Sequence, residues 1–270
     1  MIVFPNAKIN LGLNVVNKRS DGFHDIETVF YPINLKEALE VLPTESKENL
    51  FSSTGMKIPS SQDGNLVLQA YNLLANDFDL PRFEFRLHKL IPIGAGLGGG
   101  SADASSTIKA INVYCKLGLT PIEMEGYAAK LGSDCPFFIR NKVIFATGKG
   151  DVFHEVNCSL KDKYILLVNP NIHVSTATAY AGVQPKNRER NIPEVLKEPV
   201  EKWKDLLFND FEPSVFAAHP ALDVLKRKLY EKGALYAAMS GSGSTMFGIF
   251  ENKPSTEGVD DFYSWVLPLA

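Results

Sequence analysis

Apolar and polar residues alternate along two short stretches of the chain, Lys8 to Val16 and Phe83 to His88. Successive side chains of a β-strand point to opposite faces, so this period of two predicts strands with one buried face. The other face of the first strand is polar, which is as often the mark of a solvated surface as of a functional one. Its predicted buried face consists of Ile9, Leu11, Leu13 and Val15, and its polar face of Lys8, Asn10, Gly12 and Asn14.

Other segments show helical spacing or uninterrupted apolar runs. The run Tyr164 to Val168 predicts a buried strand, and Asn65 is suited to cap a helix whose apolar face carries Leu66, Leu73 and Leu74. Helices and strands are mixed along the chain, which predicts an α+β fold. Further helices are predicted over 102–117, 121–131, 194–208 and 220–232, further strands within 27–42 and over 143–146, 151–156, 234–238 and 246–250, an extended run over 135–138, and a loop over 43–64.

A glycine-rich stretch lies between the second alternating strand and the helix that follows it. Five of the seven residues from Gly94 to Gly100 are glycine. Glycine lets the backbone adopt positive φ and approach a ligand closely. A loop that enters a helix also directs backbone N–H groups and the positive end of the helix dipole toward one point. Because so many glycines weaken a fold, the stretch predicts a phosphate-binding loop in preference to a simple turn.

Three kinds of glycine-rich phosphate-binding loop were compared with this stretch. A Walker A loop requires Gly-Lys-Ser/Thr at its end, and this loop ends in Gly-Ser-Ala. The Gly-x-Gly-x-x-Gly dinucleotide fingerprint does occur from Gly94 to Gly99, but residues 117–121 show neither the acidic residue nor the strand that should follow about twenty positions later. The third kind has the pattern Pro-x-x-x-Gly-Leu-x-Gly/Ser-Ser, which Pro92 to Ala102 follows.

Length and composition narrow the class of protein. The chain has 270 residues, 45% of them hydrophobic, which suits one large or two modest globular domains. A net charge of −3 does not suggest a nucleic-acid partner, and no apolar run is long enough to predict a membrane span. The N-terminus lacks the pattern of a signal peptide, and the three cysteines form no disulfide framework. A cytoplasmic location is therefore expected.

Three blocks of sequence, in order, match the motifs of one superfamily. The first is Pro5 to Leu11, which reads Pro-x-Ala-Lys-x-Asn-Leu, with Asp-Gly-Phe-His soon after at residues 21–24. The second is the loop from Pro92 to Ala102, and the third is the glycine-serine motif from Met239 to Ser244. In these motifs the chain resembles the GHMP kinases, the superfamily of galactokinase, homoserine kinase and mevalonate kinase. The resemblance covers nearly the whole chain.

The resemblance implies a fold and a reaction. The expected fold is α+β with two domains: an N-terminal ATP-binding domain like ribosomal protein S5 over residues 1–156, and a C-terminal α/β sandwich over residues 157–270. Within the superfamily, Gly-Ser-Asp-Cys-Pro-Phe-Phe at residues 132–138 is similar to one branch. Its members transfer the γ-phosphate of ATP to the 2-hydroxyl of a cytidine-diphosphate-linked polyol of the non-mevalonate isoprenoid pathway. ATP and Mg²⁺ are the implied cofactors, a small molecule the implied substrate, and a monomer or homodimer the implied state.

The same resemblance implies roles for individual residues. Asp134 would be the general base, for which the alternative is an ordinary turn or helix-end aspartate, and Lys8 would be its cationic partner. His24 would bind the edge of a cytosine, for which the alternative is a solvated loop histidine. The remaining substrate contacts would be Asn10, Phe23 and Tyr180. The ATP contacts would be Pro92, Ile93, Gly94, Ala95, Gly96, Leu97, Gly98, Gly99, Gly100, Ser101 and Ala102, with Asn65 either contacting adenine or only capping its helix.

The chain departs from the superfamily pattern at two places, and other functions stay open. Phe23 stands where the family usually has tyrosine, and Ala102 stands where a second serine is usual. Cys135 is expected to be inert packing, and the other four histidines show no metal spacing. The alternatives are a homoserine or mevalonate kinase, a nucleotide or sugar sensor without catalysis, and a nicotinamide oxidoreductase.

Overall fold

The computed structural model describes residues 1–58, 64–186 and 188–269. Packing divides the chain into two compact units. The first unit contains Met1–Ala7, Leu35–Ile93 and Gly98–Lys142, and the second contains Lys8–Asn34, Gly94–Leu97 and the chain from Val143 onward. The predicted domain boundary after residue 156 stays a prediction. The packing units differ from it because residues 8–34 and 143–156 group with the C-terminal part of the chain.

Strands and helices occur mostly in separate runs along the described chain, as is typical of an α+β fold. The strands are β1 (Ile2–Val3), β2 (Asn6–Lys18), β3 (His24–Lys36), β4 (Ala38–Pro43), β5 (Leu50–Gly55), β6 (Phe83–Lys89), β7 (Ile144–Thr147), β8 (Val152–Glu155), β9 (Tyr164–Asn169), β10 (Tyr236–Met239), β11 (Met246–Phe250) and β12 (Tyr263–Pro268). The helices are α1 (Leu66–Ala75), α2 (Gly99–Tyr114), α3 (Pro121–Ala129), α4 (Cys135–Arg140), α5 (Thr176–Ala181), α6 (Ile192–Val195), α7 (Trp203–Leu206), α8 (Glu212–Ala218) and α9 (Pro220–Glu231), with a 3₁₀ helix at Val200–Lys202. Of the described helices, none has both the length and the apolar character needed to cross a bilayer.

The first unit is one sheet covered by helices. Its strands lie in the order β1-β4-β6-β5, with β4 antiparallel and β5 parallel to β6. The alternation predicted for β6 is confirmed, because Phe83, Phe85 and Leu87 are buried and face a core shared with α1 and α2. The glycine-rich stretch therefore leaves the end of a central strand and enters the buried helix α2.

The second unit contains two sheets. One has the order β2-β3-β7-β8 and the other the order β10-β11-β9-β12. The strand predicted around Tyr164 is β9, which pairs with both β11 and β12 in antiparallel register and is buried almost throughout. Helices α8 and α9 contribute the buried residues Val215, Leu222 and Leu225 to the same core. The core of this unit thus holds the strands that carry the C-terminal glycine-serine motif.

Four sequence predictions are wrong in detail. The run at 135–138 is not extended: it forms helix α4 with a proline in its first turn. The helix predicted over 194–208 is divided into α6, a 3₁₀ helix and α7. The segment 43–64 contains strand β5; its residues 59–63 lie outside the described part. Finally, the buried face of α1 is formed by Val67, Ala70, Tyr71 and Leu74, so that of the three predicted leucines only the last is fully buried.

Candidate active site

The polar face of β2 is buried, so the solvated interpretation of this strand is wrong. Lys8 and Asn10 are each only 3% exposed. The Lys8 Nζ donates hydrogen bonds to Asn10 Oδ1 at 2.6 Å and to the Gly96 carbonyl oxygen at 3.1 Å, and it lies 5.2 Å from the centre of the Phe30 ring. A buried ammonium group requires such partners, because its desolvation is costly. Lys8 is therefore held in one orientation next to the glycine-rich stretch.

Asn10 is held by the strand beside it. Its Nδ2 donates to Thr28 Oγ1 at 2.9 Å, and that hydroxyl donates to the Gly12 carbonyl oxygen at 2.6 Å. Thr28 lies on β3 and is fully buried. Because Asn10 also accepts the hydrogen bond from Lys8, the network fixes the position of the lysine through side chains of two strands.

The glycine-rich stretch has the backbone that its sequence predicts. Gly94, Gly96 and Gly98 have φ values of 65°, 77° and 72°, in the left-handed region that favours glycine. Gly98 is the N-cap residue of α2, and no side chain caps this helix. The first intrahelical hydrogen bond comes from Ala102 N to the Gly98 carbonyl oxygen, so the preceding N–H groups of the helix belong to its anion-binding end.

The second glycine motif braces the middle of the stretch within the second unit. Ser240 Oγ donates to the Gly96 carbonyl oxygen at 2.8 Å, and Thr245 N donates to the Ala95 carbonyl oxygen at 3.3 Å. A Cβ atom at Gly96 would lie 1.9 Å from the Ser240 carbonyl oxygen. The close approach of the two backbones requires glycine at position 96.

Two buried side chains hold the serine-glycine loop itself. Asn209 Nδ2 donates to the carbonyl oxygens of Met239 and Gly241, both at 2.8 Å. Glu212 Oε1 accepts from Met239 N at 2.9 Å, while its other oxygen accepts from Lys226 Nζ at 2.5 Å. Burial raises the pKa of Glu212, and the nearby Lys226 opposes that shift. The brace on Gly96 is therefore anchored in the core of the second unit.

Asp134 precedes helix α4 in the first unit. It occupies the N-cap position, but its side chain makes no capping hydrogen bond to the helix. Asp134 therefore stands in a turn at a helix end, as the alternative expected, and its role as the general base stays a prediction. The next residue, Cys135, is buried, its carbonyl oxygen accepts from Ser105 Oγ at 2.7 Å, and burial raises the pKa of its thiol to about 11. Cys135 is a packing residue, as expected, and the bond from Ser105 fixes the backbone beside the carboxylate.

The structure brings His24 and Tyr180 together in the second unit. Their rings are stacked with centroids 4.7 Å apart and an interplanar angle of 18°, and Tyr180 also meets Phe211 edge to face at 4.7 Å. Phe23 is 58% exposed, and the Lys149 Nζ lies 5.0 Å from the centre of its ring. His24 is therefore not a solvated loop histidine, and it begins strand β3.

No functional role was predicted for Lys149 or His173 from the sequence. Lys149 lies above Phe23, and its only sequence signal is the pair of glycines on either side of it. His173 Nδ1 lies 3.5 Å from the position that a Cβ atom would take on Gly94, and nothing in its sequence neighbourhood indicates this. Each adds a nitrogen-bearing side chain beside a predicted site residue.

The predicted ATP contact Asn65 has a clear structural role. It is the N-cap residue of α1, and its Oδ1 accepts from Val67 N at 2.9 Å. The capping prediction is confirmed, and the contact with adenine stays a prediction. Among residues 1–58, 64–186 and 188–269, no group of three or more His, Cys, Asp or Glu side chains is arranged to hold a metal ion.

The predicted site residues are divided between the two units. Lys8, Asn10, Phe23, His24 and Tyr180 lie in the second unit together with the loop segment Gly94–Leu97. The other predicted contacts lie in the first unit: Asp134, Asn65, Pro92, Ile93, and Gly98 through Ala102.

Family models and relatives match this chain along its length. The model for the GHMP kinases N terminal domain matches residues 65–142, and the model for GHMP kinases C terminal matches residues 191–259. A 4-diphosphocytidyl-2-C-methyl-D-erythritol kinase from Parabacteroides distasonis is 52% identical over 255 residues, which cover 94% of this chain and 93% of the relative. One from Cytophaga hutchinsonii is 50% identical over 272 residues, which cover 100% of both. This chain belongs to the 4-diphosphocytidyl-2-C-methyl-D-erythritol kinase family of the GHMP kinases.

A solved structure agrees with this assignment to the GHMP kinases. A crystal structure of a 4-(cytidine 5'-diphospho)-2C-methyl-D-erythritol kinase has the same fold, with a TM-score of 0.82 and 27% identity over 100% of this chain and 99% of that chain. The predicted α+β GHMP kinase fold is thereby confirmed. The chain is an enzyme of the kinase class. The alternatives of a nicotinamide oxidoreductase and of a sensor without catalysis are therefore dropped.

Proposed function

We propose that this GHMP kinase transfers the γ-phosphate of ATP to the 2-hydroxyl of 4-diphosphocytidyl-2-C-methyl-D-erythritol, a step of the non-mevalonate isoprenoid pathway. The observation that carries the proposal is the identity of 50–52% over essentially the whole chain with relatives of that name. The local structure supports it: a buried lysine beside a glycine-rich loop, and an aromatic pair at the predicted cytosine site.

The glycine-rich loop would bind the phosphates of ATP. Gly94, Gly96 and Gly98 carry no side chains, so the backbone can approach a ligand closely, and their positive φ values fit the path of the loop. The uncapped start of α2 would add N–H groups and the positive end of a 16-residue helix. These contacts bind charge without distinguishing one nucleotide from another, so Asn65 would supply any contact to adenine.

Asp134 would accept the proton of the attacking hydroxyl, and Lys8 would stabilise the charge that develops on the transferred phosphate. A positioned general base and a fixed cation are the two contributions that phosphoryl transfer to an alcohol requires from side chains. The support is that Asp134 directly precedes the buried helix α4, while the Lys8 ammonium is buried and oriented by Asn10 and Gly96. The pairing of Lys8 with Asp134 is part of the proposal.

Mg²⁺ would arrive with ATP. In kinase sites this ion is bound through substrate phosphates, waters and one or two carboxylates, a binding mode that needs no dedicated cluster of protein ligands. It would neutralise charge on the phosphates. The start of α2 and the ammonium of Lys8 would hold the phosphates to which the ion is bound.

The cytidine would be bound by the aromatic residues of the second unit. Phe23 and Tyr180 would stack against the base, and His24 would contact its polar edge. Since His24 now covers one face of Tyr180, the base would either displace the imidazole or stack outside it. Lys149, which lies over Phe23, places a positive charge where a diphosphate linked to a stacked base would benefit from it.

The acceptor can be tested directly. Purified protein with ATP and Mg²⁺ should consume ATP with 4-diphosphocytidyl-2-C-methyl-D-erythritol and not with homoserine or mevalonate. ADP formation measured with each acceptor, at equal concentrations, distinguishes this proposal from the other GHMP kinases. Comparable rates with homoserine or mevalonate would overturn it.

Placing a side chain at Gly98 should weaken ATP binding. Gly98→Ala is expected to lower ATP affinity by about tenfold or more, because the methyl group would intrude where the backbone approaches phosphate. Gly118→Ala is the matched control, since Gly118 has the same φ of 72° in the same unit, outside the loop, with nothing within 4 Å of an added Cβ atom. Isothermal titration calorimetry of both variants checks this. Unchanged ATP affinity in Gly98→Ala would assign the loop another role.

Removing the imidazole of His24 should relax the choice of base. His24→Ala is expected to raise the KM for the cytidine substrate by about 5- to 150-fold, the cost of leaving one buried polar contact unmade, without changing ATP affinity. Discrimination against a uridine analogue should fall with it. Specificity constants for both substrates provide the measurement. The control is His154→Ala, an exposed histidine of β8 that pairs with Thr147; wild-type protein that used both bases equally would remove His24 from this role.

A further inference from the structure

A lysine and two carboxyl groups are buried together in the first unit. Lys89 Nζ donates to Glu37 Oε1 at 2.6 Å and to Asp103 Oδ2 at 2.8 Å. The side chains of all three are at most 5% exposed. The mechanism proposed above uses none of them. A buried charged cluster of this kind costs stability unless it is nearly neutral and well bonded, so its presence requires an explanation.

The cluster joins both flanks of the glycine-rich loop. Glu37 Oε2 accepts from the backbone nitrogens of Leu90 and Ile91, at 2.9 and 3.2 Å, directly before the loop begins at Pro92. Asp103 is the fifth residue of α2, directly after the loop ends. A Cβ atom on Gly99, the first residue of α2, would lie 3.1 Å from Lys89 Nζ. The cluster therefore underlies the start of the helix to which phosphate would bind.

The charges of the cluster do not balance when both carboxyl groups are ionised. One ammonium would then face two carboxylates, leaving a buried negative charge. Asp103 Oδ1 is moreover buried without a hydrogen-bond partner in the described part of the chain. An unpaired oxygen is far less costly on a neutral carboxylic acid than on a carboxylate. Burial, with a further contribution from Glu37, raises the pKa of Asp103 to about 7, and Lys89 opposes this shift.

No further charged group is bonded to Asp103 from the described elements packed on α2. The titratable groups of α1, α3, α4 and β4, and the other titratable groups of α2 itself, have other contacts. Tyr71 donates to the Pro81 carbonyl, Glu123 accepts from Thr120, Arg140 from α4 pairs with Glu125, Tyr127 donates to Asp77, Glu40 pairs with Arg86, Lys109 donates to the Phe138 carbonyl, Tyr114 packs edge to face on Phe83, and the Cys135 thiol is hydrogen-bonded to Ser101.

We propose that Glu37, Lys89 and Asp103 position the glycine-rich loop for ATP, and that one proton shared by the two carboxyl groups is required for this. The inference rests on the proposed binding of ATP phosphates at the start of α2. With the proton in place the cluster is neutral. Without it, a buried negative charge lies beneath the helix start and opposes the phosphates through a medium that screens little.

The direction of the pH dependence follows from this arrangement. Bound phosphate favours the protonated cluster, so binding of ATP should raise the pKa of Asp103 further. ATP affinity should then fall as the pH rises from 6 to 8.5, by about tenfold if the pKa rises by one unit on binding. Above the pKa of the free protein, binding of ATP should take up a proton. Stability changes in the same sense: between about pH 4 and 7 the folded chain keeps a proton that the unfolded chain has released, so this contribution is lost as the pH rises through that window.

The test is proton uptake on ATP binding. Calorimetric titration of the full chain with Mg·ATP at pH 8, in buffers of different ionisation enthalpy, gives the number of protons taken up. We expect uptake by the wild type and its loss in Asp103→Asn, which keeps the shape of the side chain but cannot titrate. The variant should also keep its pH 6 affinity at pH 8.5. If the cluster only stabilised the fold, the wild type and Asp103→Asn would take up the same number of protons on binding ATP.

Two further variants decide the outcome. Glu37→Gln should abolish the uptake in the same way, and it replaces Asp103→Asn if that variant does not fold. Glu40→Gln, which removes an exposed carboxylate paired with Arg86 in the same unit, should behave as the wild type. Equal proton uptake in the wild type and in both cluster variants would overturn the inference while leaving the kinase activity intact. Absence of ATP binding by the wild type would instead overturn the proposed function.

Discussion

Replacing Asp134 by asparagine is expected to lower kcat by about 10²–10⁴-fold while leaving ATP affinity within about twofold. The range is the usual contribution of a general base, and asparagine cannot accept the proton of the hydroxyl. Asparagine has nearly the same shape as aspartate, so the packing around position 134 should be kept. Turnover measured with saturating substrates, together with calorimetric titration of ATP, separates loss of chemistry from loss of binding.

A matched substitution guards against a general effect of lost charge. Asp223→Asn removes an exposed carboxylate on α9, which pairs only with Arg227 one turn along the same helix among the described contacts. Its turnover should equal that of the wild type. Near-normal turnover in a folded Asp134→Asn protein would contradict the assignment of Asp134 as the base.

Replacing Gly96 by alanine is expected to destabilise the second unit severely. An added Cβ atom would lie 1.9 Å from the Ser240 carbonyl oxygen, and φ at this position is +77°, which alone costs an L-residue about 1–2 kcal/mol. The braced backbone cannot yield easily, because Asn209 and Glu212 hold the facing loop from the core. A loss of at least about 3 kcal/mol, or failure to fold, should result.

Gly22→Ala is the control for the φ contribution. Gly22 lies in the same unit with φ +87° and has nothing within 4 Å of an added Cβ atom. It should lose only about 1–2 kcal/mol. Urea unfolding of both variants compares the two costs. Equal losses would mean that the facing backbones do not constrain position 96.

The strand that carries Lys8 was predictable, but the burial of its polar face was not. Alternation in the sequence fixes which residues share a face and contains no information on what covers each face. The polar side chains of β2 are buried because Thr28 and the Gly96 carbonyl accept hydrogen bonds from them. Gly96 lies 88 residues from Lys8 in the sequence. Contacts of this range depend on the tertiary fold.

The wrong elements have local physical reasons. The apolar run at 135–138 is compatible with strand or helix, since a short run that is buried on all sides has no periodicity to decide between them. The helix predicted over 194–208 contains Pro199, which cannot donate to the preceding turn, and the structure divides the segment there. That break was readable from the sequence.

The glycine motifs were readable for a different reason. Glycine is favoured by the positive φ values at Gly94, Gly96 and Gly98, and the close backbone approach requires it at position 96, so the glycine content of the loop reflects its geometry. No pattern in the sequence indicates the cluster of Glu37, Lys89 and Asp103. Its members come from three separate segments, and any lysine near a carboxylate would look the same in the sequence.

One incubation tests the central claim most directly. Wild-type protein, Mg·ATP and 4-diphosphocytidyl-2-C-methyl-D-erythritol are followed by ³¹P NMR, with proton coupling used to locate the new phosphate on the polyol. The account predicts one new phosphomonoester on the 2-hydroxyl for each ADP formed, and an unchanged diphosphate bridge to cytidine. Formation of ADP without this product, or a phosphate on another hydroxyl, would contradict it.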